Sequence, residues 1–156
     1  MQEEKHYLSQ EKYNELNNEL DFLITTKRTE VATQLEYARS LGDLSENAEY
    51  HQARQTQGEV EDRIKYLAHI LKSVEIVKPH HSDTVEVGST VSVKRKGEDE
   101  TRVFHIVGSE EANMSEGRIS LNSPLGQAMM GKKKGETFTF TSPAGKKIEY
   151  TLLKID

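Results

Sequence analysis

The sequence predicts an α+β protein: an N-terminal antiparallel two-helix coiled coil over residues 1–78, then a small mixed-sheet domain with one short helix over residues 83–156. Three observations lead to this prediction. Apolar residues follow a helical spacing in the first half, they follow a two-residue spacing in the second half, and Pro79 with polar neighbours lies between the halves. With 34% hydrophobic and 30% charged residues, the chain favours two small units over one large core.

The first predicted helix extends from Ser9 to Ser40, a stretch without glycine or proline. Its apolar stripe shifts by one position near Ile24, as expected where a straight helix drifts against a seven-residue repeat. Ser9 is a typical N-cap, and Gly42 suits the left-handed position after a helix end. The stripe comprises Tyr13, Leu16, Leu20, Leu23, Ile24, Val31, Leu35 and Ala38.

A second predicted helix follows, with apolar residues at alternating three- and four-residue steps. Neither helix can bury its own stripe, and the connection at residues 40–43 is short, so the two are expected to pair as an antiparallel hairpin. Arms of about 30 residues at 1.5 Å per residue would be about 45 to 50 Å long, with LGDLSENAEY at the tip. The second stripe comprises Tyr50, Ala53, Gln57, Val60, Ile64, Leu67, Leu71 and Val74.

The second half has the two-residue apolar period of strands. Glycine- and proline-containing turns separate five or six short, mostly antiparallel strands, and residues 124–130 are expected to form one short helix across the sheet, with Ser123 as its cap and Pro124 at its first position. The predicted strand positions are Val85 and Val87; Val91 and Val93; Val103 to Ile106; Ile119 and Leu121; Phe138 and Phe140; and Ile148, Tyr150 and Leu152.

Composition excludes several functional classes. The chain has no apolar run of the roughly 18 residues that a membrane span needs, and its acidic, polar start is unlike a targeting peptide, so a cytoplasmic protein is expected. The absence of cysteine excludes disulfides, thiolate zinc sites and cysteine nucleophiles. Residues 1–78 hold 10 basic and 15 acidic side chains, against 11 of each in residues 79–156, which argues against a general duplex-binding protein and leaves a protein partner with basic patches.

The acids of the tip have two interpretations. Locally, Asp43 would cap the second helix and Glu46 would complete a capping box. Functionally, two carboxylates three residues apart could hold a hard divalent ion such as Mg²⁺, with water, phosphate or another protein supplying the remaining ligands. Two carboxylates bind such an ion weakly, so this site would work only inside another site that already contributes ligands. Glu49 is interpreted as a residue of the helix surface or as a supporting residue.

Other polar clusters are less specific. Arg39 and Arg54 flank the tip on opposite arms and could face one side, where they would pair with acids or meet phosphate; a solvated helix surface is the alternative. His80 and His81 lie in the linker and form no helical metal-binding pair. The lysines at 132–134 are expected to form an exposed turn, because no aromatic residues are interleaved with them.

Two stretches resemble one family. LGDLSENAEYHQARQTQGEVEDRI, residues 41–64, is similar to the tip and descending helix of the bacterial GreA transcript cleavage factors, and SLNSPLGQAMMGKKKGE, residues 120–136, is similar to their most characteristic C-terminal stretch. ELDFL in the ascending helix extends the resemblance to nearly the whole chain. It implies an N-terminal coiled coil joined to an FKBP-like domain, with RNA polymerase as the partner. The free protein is expected to be a monomer.

The resemblance also implies roles for individual residues. Asp43 and Glu46 would help to retain a second Mg²⁺, shared with the polymerase and not held tightly by the free protein, and would orient the attacking water. Cleavage of the backtracked RNA would be carried out by the polymerase, so the chain itself is not expected to be an enzyme. Arg39 and Arg54 would contact the 3′ segment of the nascent RNA at the end of the polymerase secondary channel.

In the same resemblance, Ser123 and Pro124, with Gly126 beside them, would bind the rim of that channel. The chain departs from many relatives at Thr29, where they have proline and where a more regular helix is expected, and at Leu41, where they have histidine. Two alternatives stay open: a Gre-like protein that occludes the channel and inhibits the polymerase, and an FKBP-like prolyl isomerase or chaperone with a helical arm.

Overall fold

A computed structural model describes residues 4–156, which form two compact units. One comprises residues 13–74, and the other comprises residues 4–12 together with 75–156. The predicted helical domain began at residue 1, whereas residues 4–12 group with the second unit, in which the Val77 N–H donates to the Leu8 carbonyl at 2.8 Å. Residues 1–3 of that prediction lie outside the described part of the chain.

The helical unit follows the predicted order of elements. The ascending arm consists of α1 (Gln10–Phe22), a single wide π turn (Leu23–Lys27) and α2 (Arg28–Ser40), and the descending arm is α3 (Ala48–Lys72). The 25 residues of α3 extend for about 37 Å. The two arms run antiparallel: from one cross-arm pair to the next, the residue number rises in the ascending arm and falls in the descending arm. The cross-arm pairs are Glu19 with Arg63, Arg28 with Glu61, and Ala38 with Asn47.

The predicted seam between the arms is largely confirmed. Ile24 is an exception, since it is 42% exposed, and near the end of α3 the buried residue is Ile70 and not Leu71. Val74 lies beyond α3, in a short strand. Ser9 accepts the Lys12 N–H at 3.1 Å, as expected of the N-cap of α1. The predicted stripe residues that are buried are Leu16, Val31, Leu35, Ala38, Ala53, Val60, Ile64 and Leu67.

The π turn corrects two expectations about the ascending arm. The shift of the stripe arises at this turn, where the Arg28 N–H bonds to the carbonyl five residues earlier, and not from gradual drift of a straight helix. Thr29 does not give a more regular ascending arm, since the π turn ends two residues before it. The Thr25 hydroxyl donates to the Asp21 carbonyl at 2.6 Å, and such back-bonding competes with the helical hydrogen bonds and bends helices.

The second unit is built on a five-stranded mixed sheet in the order β5-β4-β3-β7-β6. Three of its pairings are antiparallel, β4 and β5 are parallel, and β3 has an irregularity against β7 between Ser92 and Val93. A separate pair joins two short strands that the sequence did not indicate, β1 (His6–Leu8) and β2 (Val74–Ile76). The sheet strands are β3 (Thr90–Arg95), β4 (Thr101–Val107), β5 (Arg118–Ser120), β6 (Thr137–Thr141) and β7 (Lys147–Ile155).

The prediction of a strand at Val85 and Val87 is wrong. This segment makes only an isolated bridge between Thr84 and Lys133. Val85 is 1% exposed, so its place in the core was indicated correctly, but its N–H and carbonyl bond to the turn that follows α4 (Pro124–Met129). Gly88, with φ of 94°, lies in the turn that separates this segment from β3.

The core of the second unit lies between the sheet and α4. Leu125 and Met129 of α4 pack against the buried face of the strands. Phe138 and Tyr150 stack with ring centroids 5.5 Å apart, and Phe104 is buried elsewhere in the same core. The aromatic side chains therefore serve the core, as the strand pattern predicted, and the α+β fold class is confirmed.

Candidate functional site

The hairpin tip is a loop of seven residues, 41–47, between the end of α2 and the start of α3. Leu41 continues the helical backbone, and its N–H bonds to the Ala38 carbonyl at 3.2 Å. Gly42 follows with φ of 121°, a left-handed value that suits glycine and ends the helix as predicted. Every side chain from Leu41 to Glu46 is exposed. The loop therefore has no apolar core of its own.

Asp43 does not cap α3. Its Oδ1 accepts the Ser45 N–H at 3.0 Å and the Ser45 hydroxyl at 2.9 Å, which closes a local turn inside the loop. These two hydrogen bonds, the backbone one first, lower the pKa of Asp43 below its ordinary value. The predicted capping box of Asp43 and Glu46 is wrong, because α3 begins four residues later than that box requires.

The cap of α3 is Asn47. Its Oδ1 accepts the Tyr50 N–H at 3.0 Å, while its Nδ2 donates to the Ala38 carbonyl at 2.6 Å. One partly buried amide thus satisfies the first turn of α3 and the last turn of α2 together. Sequence analysis missed this residue, although asparagine directly before the helical stripe is a recognised start signal.

His51 adds a second tie across the loop. Its Nε2 lies 3.2 Å from the Ser45 carbonyl oxygen, and since that oxygen can only accept, Nε2 carries the proton. The ring meets Tyr50 edge-on, with centroids 5.8 Å apart. The loop between Gly42 and Asn47 is therefore held by hydrogen bonds rather than by packing.

The acid pair keeps free oxygen atoms. Among residues 4–156, no side chain or N–H donates to Asp43 Oδ2 or to the Glu46 carboxylate. Carboxylate oxygens are the donors that Mg²⁺ prefers, so the two residues fit such an ion. Within the same range, no group of three or more His, Cys, Asp or Glu side chains is placed to hold a metal ion. The tip can supply part of a coordination sphere and needs a partner for the rest.

The two arginines lie near the tip but do not contact its acids. Arg39 is exposed in the last turn of α2, and its guanidinium makes no ion pair with any described residue. Arg54 is exposed in the second turn of α3 and donates to Gln57 Oε1 at 2.9 Å. Of the two alternatives, pairing with a tip acid is absent within residues 4–156, so no carboxylate there neutralises the charge of either guanidinium.

The second predicted site surrounds the start of α4. Ser123 caps this helix as predicted, accepting the Gly126 N–H at 3.0 Å, and donates its own proton to the Ser120 carbonyl at 2.7 Å. Pro124 is exposed at the first helical position. Gly126 is buried against the backbone, where an added Cβ would lie 2.0 Å from the Ser120 oxygen. The close approach needs glycine, so these residues form one tightly built turn.

Side chains next to this turn extend its hydrogen bonds. Ser109 and Ser120 hydroxyls are 3.1 Å apart, and Asn122 Nδ2 donates to the Ser109 hydroxyl at 3.1 Å. Gln127 Nε2 donates to the Leu121 carbonyl at 2.8 Å. The network presents Asn122 and Pro124 to solvent in a fixed arrangement.

No helix within residues 4–156 is long and apolar enough to cross a membrane.

Comparison with known proteins finds matches to both halves of the chain. A family model described as "Transcription elongation factor, N-terminal" matches residues 6–76. A second, described as "Transcription elongation factor, GreA/GreB, C-term", matches residues 78–156. The first match includes the hairpin tip and the second includes the α4 turn.

Individual relatives agree with the family models. A protein of Nautilia profundicola named transcription elongation factor GreA is 43% identical over 145 residues, which cover 92% of this chain and 89% of that protein. One of Streptococcus pneumoniae with the same name is 39% identical over 158 residues, covering 100% and 98%. Among solved structures, GreA factor homolog 1 of Thermus thermophilus shares 24% identity with a TM-score of 0.45, covering 98% of this chain and 99% of that one. The chain belongs to the GreA/GreB family of transcription elongation factors.

Proposed function

We propose that this elongation factor inserts its hairpin tip into the secondary channel of RNA polymerase and stimulates the polymerase to cleave backtracked RNA. The observation that carries the proposal is the acid pair of the tip. Asp43 and Glu46 are exposed, retain free carboxylate oxygens, and lie in a loop whose backbone is tied to both arms. A thin hairpin ending in such a loop suits delivery of carboxylates into an enclosed site.

The chain contributes ligands and orientation rather than a complete active site. When bound in the polymerase, Mg²⁺ would stabilise the charge that develops during phosphodiester hydrolysis. Asp43 offers its Oδ2, because Oδ1 is taken by Ser45, and Glu46 offers its whole carboxylate. A carboxylate that accepts a proton from the attacking water also orients it, and placing reactants in this way accounts for much of the acceleration in such reactions.

Arg39 and Arg54 give the tip a cationic side that its acids do not neutralise. In this proposal they contact the phosphates of the extruded RNA 3′ segment, since guanidinium groups match phosphate geometry. Binding by charge alone is unfavourable for an acidic tip, so docking through protein contacts must bring the tip to the RNA. The α4 turn, with Ser123, Pro124 and Gly126, is proposed as the part that binds the rim of the channel.

The acid pair is tested by measuring cleavage in a defined backtracked elongation complex. We expect Asp43→Asn or Glu46→Gln to abolish stimulated cleavage and to leave polymerase binding within about twofold of the unmodified protein, since both changes keep the shape of the side chain. Glu49→Gln, in the first turn of α3, is the matched control and should keep full activity. Full cleavage by both tip variants would refute the proposal.

A comparison of backtracked complexes with complexes that have not backtracked distinguishes stimulation from inhibition. An occluding protein would slow nucleotide addition by a polymerase that has not backtracked, whereas a cleavage factor raises the yield of short RNA products with increasing Mg²⁺. A protein that slows addition and yields no cleavage products would be the inhibitor instead.

Docking is tested at Pro124. Pro124→Glu places a charge on the exposed first position of α4, where it does not disturb the buried face. We expect polymerase binding to weaken at least tenfold and cleavage to recover at high protein concentration. An unchanged dissociation constant would remove the α4 turn from the docking surface.

A further inference from the structure

We propose that Asn47 is a positioning residue for the acid pair, acting by clamping the end of α2 to the start of α3 and so fixing the loop that carries Asp43 and Glu46. This inference rests on the proposed function of the tip. It assigns to Asn47 a role separate from that of the acids, because the amide contacts only the protein backbone.

The loop needs such a clamp because packing does not hold it. Leu41 and Leu44, the apolar residues of the loop, are 52% and 40% exposed. The N–H groups of Leu41 and Gly42 bond to the last turn of α2, and the Asn47 carbonyl accepts the His51 N–H. Between Gly42 and Asn47, the hydrogen bonds are local, from Ser45 to Asp43, or come from the exposed ring of His51. Asn47 is the partly buried side chain whose two polar atoms bond one to each arm.

The geometry of the amide explains why asparagine suits this position. Its Oδ1 caps α3 at Tyr50, a task that aspartate or serine also performs. Its Nδ2 donates to the Ala38 carbonyl, which aspartate cannot do, since a carboxylate has no proton to give and repels that oxygen. Serine caps the helix but is too short to reach across the loop. The two functions of Asn47 can therefore be separated by mutation.

The expected effect follows from the sensitivity of such chemistry to position. A displacement of about 1 Å in a reacting group can cost about 100-fold in rate. We expect Asn47→Asp and Asn47→Ser to lower the maximal stimulated cleavage rate by about 10- to 100-fold at saturating protein. The dissociation constant for polymerase should change less than twofold, because the α4 turn is untouched.

A second measurement does not depend on cleavage. In the free protein, amide exchange followed by NMR should show faster exchange at the Ser45 N–H in both variants, by about tenfold or more, as the loop opens. The Tyr50 N–H should stay protected in both, because the cap is retained. Asn18→Asp, an exposed change in α1, adds the same charge and is the control for charge alone.

Each combination of cleavage rate and amide exchange either supports or contradicts the clamp. Loss of cleavage with faster Ser45 exchange and a protected Tyr50 supports the clamp. Wild-type cleavage by both Asn47 variants, or lost cleavage with unchanged Ser45 exchange, overturns it. The Asp43→Asn and Glu46→Gln variants are measured beside them: if both cleave fully, the proposed function fails, whereas if they are inactive while the Asn47 variants are fully active, only the positioning role fails.

Discussion

Gly126→Ala should destabilise the second unit through one contact. Gly126 lies within α4 at an ordinary helical φ, so alanine would normally be favoured there. The added Cβ, however, would lie 2.0 Å from the Ser120 carbonyl oxygen and 3.1 Å from the Leu121 Cα. Neither atom belongs to a flexible side chain. The backbone must therefore move by about 1 Å to reach the normal contact limit of about 3 Å.

The magnitude follows from known costs of overpacking. Forcing a methyl group into a filled site typically costs about 1–3 kcal/mol. For a unit of this size, each kcal/mol lowers the melting temperature by roughly 4–8 °C. We expect a decrease of about 5–20 °C for the transition of the second unit, and weaker polymerase binding as the α4 turn shifts.

Gly58→Ala is the matched control. Gly58 is also a helical glycine, in α3, but nothing lies within 4 Å of its added Cβ. The same substitution should there stabilise the helix by roughly 0.5–1 kcal/mol, because alanine has the higher helix propensity. Calorimetry of the full chain compares both variants with the unmodified protein. A Gly126→Ala protein that is as stable as the unmodified one would refute the steric reasoning.

Two further predictions concern ionisation. Ser45→Ala should raise the pKa of Asp43 only part of the way to its ordinary value, since the Ser45 N–H bond remains, and NMR titration of Asp43 checks this. The stabilisation from the Asp43–Ser45 hydrogen bonds is fully present above the ordinary aspartate pKa. It is lost as pH falls through the lowered pKa of Asp43. Hydrogen bonds to the Lys78 carbonyl, which has the larger effect, and to the Glu86 carboxylate raise the pKa of His80. The stabilisation from cationic His80 is therefore complete below the ordinary histidine pKa and is lost as pH rises through the raised pKa of His80. Glu86→Gln should lower that pKa partly, and an unchanged His80 titration would contradict the contact.

The sequence was informative where one strong pattern had no competitor. The helical stripe identified both arms and most of the buried seam, and the glycine after α2 placed the tip. Ser9 was identified as a cap because it stands alone before a helical stretch, and Ser123 because Pro124 after it suits the first helical position. The acid pair was proposed as functional from its position at the reversal rather than from its local spacing.

The sequence was less informative where two residues could do the same task. Asp43 and Asn47 are both good caps four residues apart, and the contact of Asn47 with Ala38, across the hairpin, decides between them. The π turn depends on competition between the Thr25 hydroxyl and a backbone N–H, which apolar spacing does not record. Strands β1 and β2 have three residues each, too few to show an alternating pattern.

The π turn has a consequence for how the length of the ascending arm can vary. Each residue added to or removed from an α-helix rotates everything beyond it by about 100°. A wide turn already accommodates one extra residue, so deleting a residue within Leu23–Lys27 would relax the turn to an ordinary helical one and leave the phase of α2 nearly unchanged. The same deletion within α2 would rotate the tip acids by about 100° around the helix axis. The π turn is therefore the place where the ascending arm could lose one residue with little change in the direction of its acids.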